Sequence, residues 1–251
     1  MKRIMLTVAY DGTAYCGWQY QEGRPTIEGE LNKAIEKLTG ERVEVIGASR
    51  TDAGVHALCN LAVFDTESSI PGEKFCYALN AHLPEDIRVV ASAEVTADFH
   101  PRKVATRKTY EYRILNRDLP DPVRRLYTYF AYGPIDVTRM QEAAVYLEGE
   151  HDFASFCSPA TQALTTVRTV YKVEVERVED EIRIRVCGNG FLYNMVRIIA
   201  GTLLEVGRGR LAPEDIPAIL EKKDRQAAGP TAPAHGLMLI RYEFEDKSFI
   251  L

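Results

Sequence analysis

The 251-residue chain is short of the features that mark secreted, membrane-spanning or metal-built proteins. Its five cysteines, Cys16, Cys59, Cys76, Cys157 and Cys187, are scattered and odd in number, with no CxxC pair and no Cys/His ligand spacing. This argues against a disulfide framework and against structural zinc, and scattered thiols suit a reducing cytosol. Long apolar runs are missing too. The first stretch, from Ile4 to Tyr10, covers seven residues, too few for a signal-peptide core or a membrane span. The expectation is a cytoplasmic protein without a membrane segment. The "GNG" at 188–190 lacks the third glycine of GxGxxG, which removes the dinucleotide-binding reading. Positive charge is scarce: 31 Lys and Arg face 36 Asp and Glu, a net charge of −5.

That average hides an asymmetry. Between Pro101 and Arg125 there are eight Lys/Arg and three Asp/Glu, net +5; between Gln141 and Glu181 there are three and nine, net −6. A basic strip on an acidic body can neutralise phosphates locally, and it can equally be a solvated strand and loop. At 46% hydrophobic and 27% charged residues, the chain is an ordinary globular protein with length enough for one large domain or two modest ones.

Periodicity supplies the elements. Ile4, Leu6, Val8 and Tyr10 alternate as in a strand. Pro25 and Thr26 open a helix with the apolar stripe Ile27, Leu31, Ala34, Ile35 and Leu38, closed by Gly40. "VEVIG" and "LCNLAVFD" read as strands; a short helix at 73–80 and a strand at 87–95 follow. In the second half, 104–115 reads as a strand and 136–148 as a helix, with paired strands at 169–178 and 182–186. A helix at 191–206, a short one after Pro213 and a strand at 237–244 complete the chain. "PDPVRR" and "SPATQ" read as surface loops. The fold class expected is α+β: two similar halves, residues 1–103 and 104–251, with mostly antiparallel sheets and flanking helices around a central cleft.

Three stretches could carry chemistry. In "GASRTDAGVHAL", Asp52 stands alone among small residues that thinly cover the backbone, with Arg50 before it. A turn built from Asp and Gly also serves any strand connection. In the helix "GFLYNMVRIIAGTLLEVG", Arg197 projects from a nearly all-apolar surface. Such a guanidinium either snorkels to water or meets a carboxylate or phosphate; a nearby aspartate so paired would stay ionised. In "RKTYEYRI", Tyr110 and Tyr112 share one strand face with Lys108, an arrangement suited to base stacking and phosphate contact, and equally to sheet filling. "YDGTAYCGWQ" gathers Tyr10, Tyr15 and Trp18 around two glycines, and a packed aromatic turn accounts for it as well.

Taken together, "YDGTAYCGWQ", "SRTDAGVHA", "FHPRKVATRKTYEYRI", "GNGFLYNMVRIIAGTLLEVGRG" and "AAGPTAPAHGLML" resemble, in order and spacing, the tRNA pseudouridine synthases of the TruA type. The resemblance runs from Tyr10 to Leu239; Ser49 stands where the family often has glycine. It implies an isomerase converting uridine to pseudouridine at positions 38 to 40 of the tRNA anticodon stem–loop. It also implies a cofactor-free homodimer whose tRNA touches both subunits. Carried over by residue, Asp52 is the catalytic aspartate, Arg50 holds the target base out of the helix, and Tyr110 stacks on it. Arg197 pairs with Asp52, and Leu237 lines the pocket.

One carboxylate suits that reaction. Glycoside hydrolysis ordinarily takes two, one of them to protonate a poor leaving group. Uracil leaves as an anion stabilised by its two carbonyls. Asp52 could attack C1′ or remove the 2′ proton to give a glycal; both routes need it ionised. His56 and His100 are expected to be local hydrogen-bonding residues. A non-catalytic RNA-binding module would keep the basic strip without an Asp–Arg pair. A nucleoside hydrolase-like enzyme would keep the pair without the strip.

Overall fold

The computed structural model describes residues 1–161, 163–246 and 248–250. Gln162, the last residue of the expected "SPATQ" loop, lies outside them. The strands are β1 (Lys2–Tyr10), β2 (Ile46–Gly47), β3 (His56–Thr66), β4 (Ile87–Val95), β5 (Thr106–Leu115), β6 (Tyr129–Phe130), β7 (Gly149–Asp152), β8 (Val167–Val178), β9 (Glu181–Gly188) and β10 (Leu237–Phe244). The α-helices are α1 (Ile27–Thr39), α2 (Phe75–Asn80), α3 (Val137–Val145), α4 (Met195–Gly207) and α5 (Asp215–Lys222). The protein is α+β, and its strand pairs are antiparallel except β5 with β6 among those defined by register. The chain forms two compact units, Met1–Thr106 with Leu239–Leu251, and Arg107–Met238.

In the first unit the strands lie in the order β4-β1-β3-β10, with β2 paired to β3. The alternation read in the sequence is a true one: Ile4, Leu6 and Val8 are fully buried and Tyr10 nearly so. The opposite face is covered as well. Met5, Leu61, Val63, Val95 and Phe99 form a second cluster, against which Tyr242, Phe244 and Phe249 of the chain's end pack. Helix α1 starts where expected, because the Thr26 side chain accepts the Gly29 N–H at 3.2 Å, and it stops at Gly40, which has φ +78°. "VEVIG" is a strand only at Ile46–Gly47. Upstream of it, the Val45 N–H is taken by the Asn32 side chain at 3.1 Å instead of a neighbouring strand.

In the second unit β5-β9-β8-β7 are neighbours, and β6 joins β5. Tyr112 pairs with Ile184 and Tyr110 with Val186 across β5 and β9. Both tyrosines are buried, and Tyr112 completely. Helix α4 begins at Met195 and not at 191, because Asn194 takes a left-handed conformation (φ +62°) that interrupts the helix. Eleven of its thirteen residues are buried.

Part of the charge segregation of the sequence cancels in space. Arg124 makes a bidentate pair with Asp180, both contacts at 2.7 Å, and also reaches Asp121 at 2.9 Å. Arg117 lies 3.5 Å from Asp180. The buried carboxylate of Glu111 accepts from Arg113 at 2.7 Å and Arg185 at 2.8 Å. Burial alone would raise its pKa, but the two guanidiniums hold it below the ordinary glutamate value. The acidic run thus supplies partners for the later part of the basic strip.

Candidate active site

The Asp52 loop connects β2 to β3, and two sets of contacts fix it within the first unit. The first set radiates from Asn60, fully buried on β3. Its Oδ1 accepts the Ser49 N–H at 3.2 Å and the Leu61 N–H at 3.0 Å; its Nδ2 donates to the Ser49 carbonyl at 2.9 Å and to the Tyr10 hydroxyl at 3.2 Å. The Tyr10 hydroxyl in turn bonds Thr51 Oγ1 at 2.7 Å. Residues 49 and 51 are therefore pinned on either side of Arg50, whose side chain is exposed.

The second set comes from "YDGTAYCGWQ". The Trp18 N–H donates to the Thr51 carbonyl at 3.0 Å, and the Gly54 N–H to the Tyr15 carbonyl at 3.3 Å. The Gly12 N–H donates to Nδ1 of the buried His56 at 3.0 Å. The two segments meet backbone to backbone, which explains the glycines. A Cβ on Gly12 would lie 2.1 Å from the Val55 carbonyl oxygen, and one on Gly17 (φ +93°) 2.7 Å from that of Thr51. The aromatics of this segment are packing residues: Trp18 is fully buried, and its indole occupies the space where a Gly47 side chain would be. Among the described residues, Trp18 Nε1 and Ser49 Oγ are buried without a hydrogen-bond partner.

Asp52 itself is half-buried, in a turn where the Val55 N–H donates to its own carbonyl at 3.1 Å. Arg102 buttresses the loop's start, its Nε donating to the Gly47 carbonyl at 2.8 Å. Burial and the neighbouring Arg50 guanidinium pull the Arg102 pKa below its ordinary value. The loop is thus a rigid mount presenting one carboxylate between firmly held neighbours. Such pre-organisation is what a positioned nucleophile or base requires.

The other three expected residues stand in the second unit. Tyr110 is nearly buried on β5, edge-on to Phe191 with ring centroids 5.3 Å apart. Leu237, buried, is the first residue of β10. Arg197, half-buried near the start of α4, donates from Nε to the Ala232 carbonyl at 2.7 Å and from Nη1 to Asn194 Oδ1 at 2.8 Å. Its own carbonyl accepts the Ala232 N–H at 3.1 Å. The Asn194 amide is anchored on Ser158 Oγ at 2.7 Å. The left-handed residue that shortens α4 is thus the one that orients the arginine.

Two residues that hold the Asp52 loop are not apparent from local pattern. Asn60 is signalled only by being polar inside the otherwise apolar "LCNLAVFD". Arg102 belongs to a quoted motif, but its bond to Gly47 joins residues 55 apart.

A family model described as tRNA pseudouridine synthase matches residues 6–102 and 143–245. A tRNA pseudouridine synthase A of Thermoanaerobacter sp. (strain X514) is 50% identical over 241 residues, covering 96% of this chain and 99% of the relative. The tRNA pseudouridine synthase A 2 of Clostridium tetani is 51% identical over 240 residues, covering 95% and 97%. A tRNA pseudouridine synthase A of Bacillus velezensis is 49% identical over 241 residues, covering 94% and 97%. With most of its length matched and half its residues shared, this chain belongs to the tRNA pseudouridine synthase family of isomerases.

Proposed function

We propose that this enzyme converts uridine to pseudouridine at positions 38–40 of the tRNA anticodon stem–loop, with Asp52 as the catalytic carboxylate. The observation that carries the reading is the doubly clamped loop that presents Asp52. The C1′–N1 bond breaks and uracil leaves as an anion. The base then turns, C1′ bonds C5, and the C5 hydrogen is released to solvent while N1 gains a proton. Asp52, ionised, acts on the sugar at C1′ or at the 2′ proton. Arg197 is its ion-pair partner, aimed by Asn194 and the Ala232 carbonyl. Tyr110 stacks on the target base and Leu237 lines the pocket, keeping water from the detached uracil. Extruding the base costs a few kcal/mol, and Arg50, exposed on its pinned backbone, takes the vacated position.

We further infer a cytoplasmic homodimer whose tRNA touches both subunits. Sedimentation equilibrium at assay concentration checks this, and a monomer that turns over tRNA at full rate overturns it. The test of the main proposal uses tRNA tritiated at uracil C5, with pseudouridines mapped in the product. Asp52→Asn is expected to lower turnover by at least about 10²-fold, the scale for losing a positioned acid–base or nucleophilic group, with tRNA binding retained. Substantial tritium release by this variant, or pseudouridine only outside the anticodon stem–loop, would refute the corresponding part.

A further inference from the structure

Arg225 lies in the second unit, just before the loop "AAGPTAPAHG", and its side-chain hydrogen bonds among the described residues go to Ala228, Gly229 and Thr231, none of them given a catalytic role above. Its guanidinium nonetheless organises that loop. Nη1 donates to the carbonyls of Ala228 at 3.4 Å and Gly229 at 2.9 Å, and Nη2 to Thr231 Oγ1 at 3.0 Å. One planar cation thus spans four residues of irregular backbone, a task suited to the fork of an arginine and not to the point charge of a lysine.

The loop so held lies directly on α4. The Gly229 N–H donates to Thr202 Oγ1 at 2.9 Å, and that buried hydroxyl is itself bonded to the Ile198 carbonyl at 2.7 Å. A Cβ on Gly201 would sit 1.8 Å from the Pro230 carbonyl oxygen, and one on Gly229 2.7 Å from the Thr202 Cα. Only glycines allow this approach. Beyond Pro230 the loop reaches Ala232, whose carbonyl takes the Arg197 Nε–H at 2.7 Å and whose N–H returns to the Arg197 carbonyl at 3.1 Å. Then comes Pro233, whose carbonyl accepts the hydroxyl of the buried Tyr112 at 2.9 Å. The entry to the loop is fixed as well, because the Asp224 N–H donates to the fully buried Ser155 Oγ at 2.9 Å.

Without Arg225, two carbonyls and a hydroxyl at the loop's apex lose their common donor. The segment carrying the acceptor that aims Arg197 is then held only by its contacts with α4 and Tyr112. We propose that Arg225 is a positioning residue for catalysis: it locks the 228–232 strap against α4 so that the Ala232 carbonyl holds the Arg197 guanidinium in its working orientation. The inference rests on the role given to Arg197 above.

A double-mutant cycle on the full-length enzyme tests both steps separately, with kcat and KM for tRNA read by tritium release and folding by thermal unfolding. Arg225→Ala is expected to lower kcat by about 10- to 100-fold, the scale of an ångström-level misplacement, with KM little changed. In an Arg197→Met background the same substitution should change kcat by less than about twofold, since groups acting through one another are not additive. Equal losses of kcat in both backgrounds would overturn the proposal and leave Arg225 a stabilising residue only; so would an unchanged kcat in Arg225→Ala. Should Arg225→Ala fail to fold, Thr231→Val removes one acceptor of the fork. It should give a smaller loss of kcat that again vanishes beside Arg197→Met, and persistence of the loss there overturns the proposal. If Arg197→Met alone keeps wild-type kcat, the reading of Arg197 itself has failed, an outcome visible without touching Arg225.

Discussion

Gly17→Ala separates backbone strain from backbone contact at the mount of Asp52. Gly17 has φ +93°, and its Cβ would fall 2.7 Å from the Thr51 carbonyl oxygen and 3.1 Å from both the Ala53 nitrogen and the Asp52 carbonyl carbon. A left-handed conformation costs an L-residue about 1–2 kcal/mol. Forcing a carbon into a closed contact costs about 1–3 kcal/mol more, because the neighbour here is backbone and cannot rotate away. Gly23 provides the control: its φ is +72°, yet among the described residues nothing lies within 4 Å of the added carbon. Gly23→Ala should show the strain alone. In a chain of this size 1 kcal/mol corresponds to about 2–4 °C in Tm. Gly17→Ala should therefore melt about 2–12 °C below Gly23→Ala, the contact cost alone setting the gap. Circular dichroism melts at one scan rate measure it. Tritium release from tRNA should show a loss of kcat in Gly17→Ala and none in Gly23→Ala, since only the first displaces the Asp52 backbone. Equal melting temperatures with full kcat in both would refute the claim that backbone interlock positions the loop.

Two further outcomes follow from buried and paired groups. Ser49→Ala removes a buried hydroxyl without a partner among the described residues; it should stabilise the protein by about 1 kcal/mol, seen as a higher urea midpoint at unchanged m-value, and a lower midpoint would mean the hydroxyl is satisfied. Lys103 is exposed while Arg124 is engaged by Asp180 and Asp121. Lys103→Gln should reduce the slope of log Kd for tRNA against log salt by about 1, and Arg124→Gln should leave that slope alone while lowering Tm. The opposite pattern would show that the internally paired end of the strip is the phosphate-binding one.

The order of the longer elements was legible in the sequence, because binary patterning and capping are local, whereas the short strands β6 and β7 carry no such pattern. Alternation in Ile4, Leu6 and Val8 and the Thr26 cap of α1 are written in neighbouring residues and survive in the fold. The sequence also marked Asp52 and Arg197 as charges that their surroundings do not explain. Tertiary structure decided what no local window holds. The glycines of "YDGTAYCGWQ" are required by carbonyls some 40 residues away, as the Gly12–Val55 approach shows. The later part of the basic run is paired with a carboxylate that the sequence places far away, as in Arg124 with Asp180, 56 residues on. Asn194 cut four residues from the expected helix because a left-handed backbone, invisible to periodicity, turns its amide toward Arg197. Periodicity reports which face of an element is buried, whereas hydrogen bonds between distant backbones depend on where the chain returns, and only the folded chain specifies that.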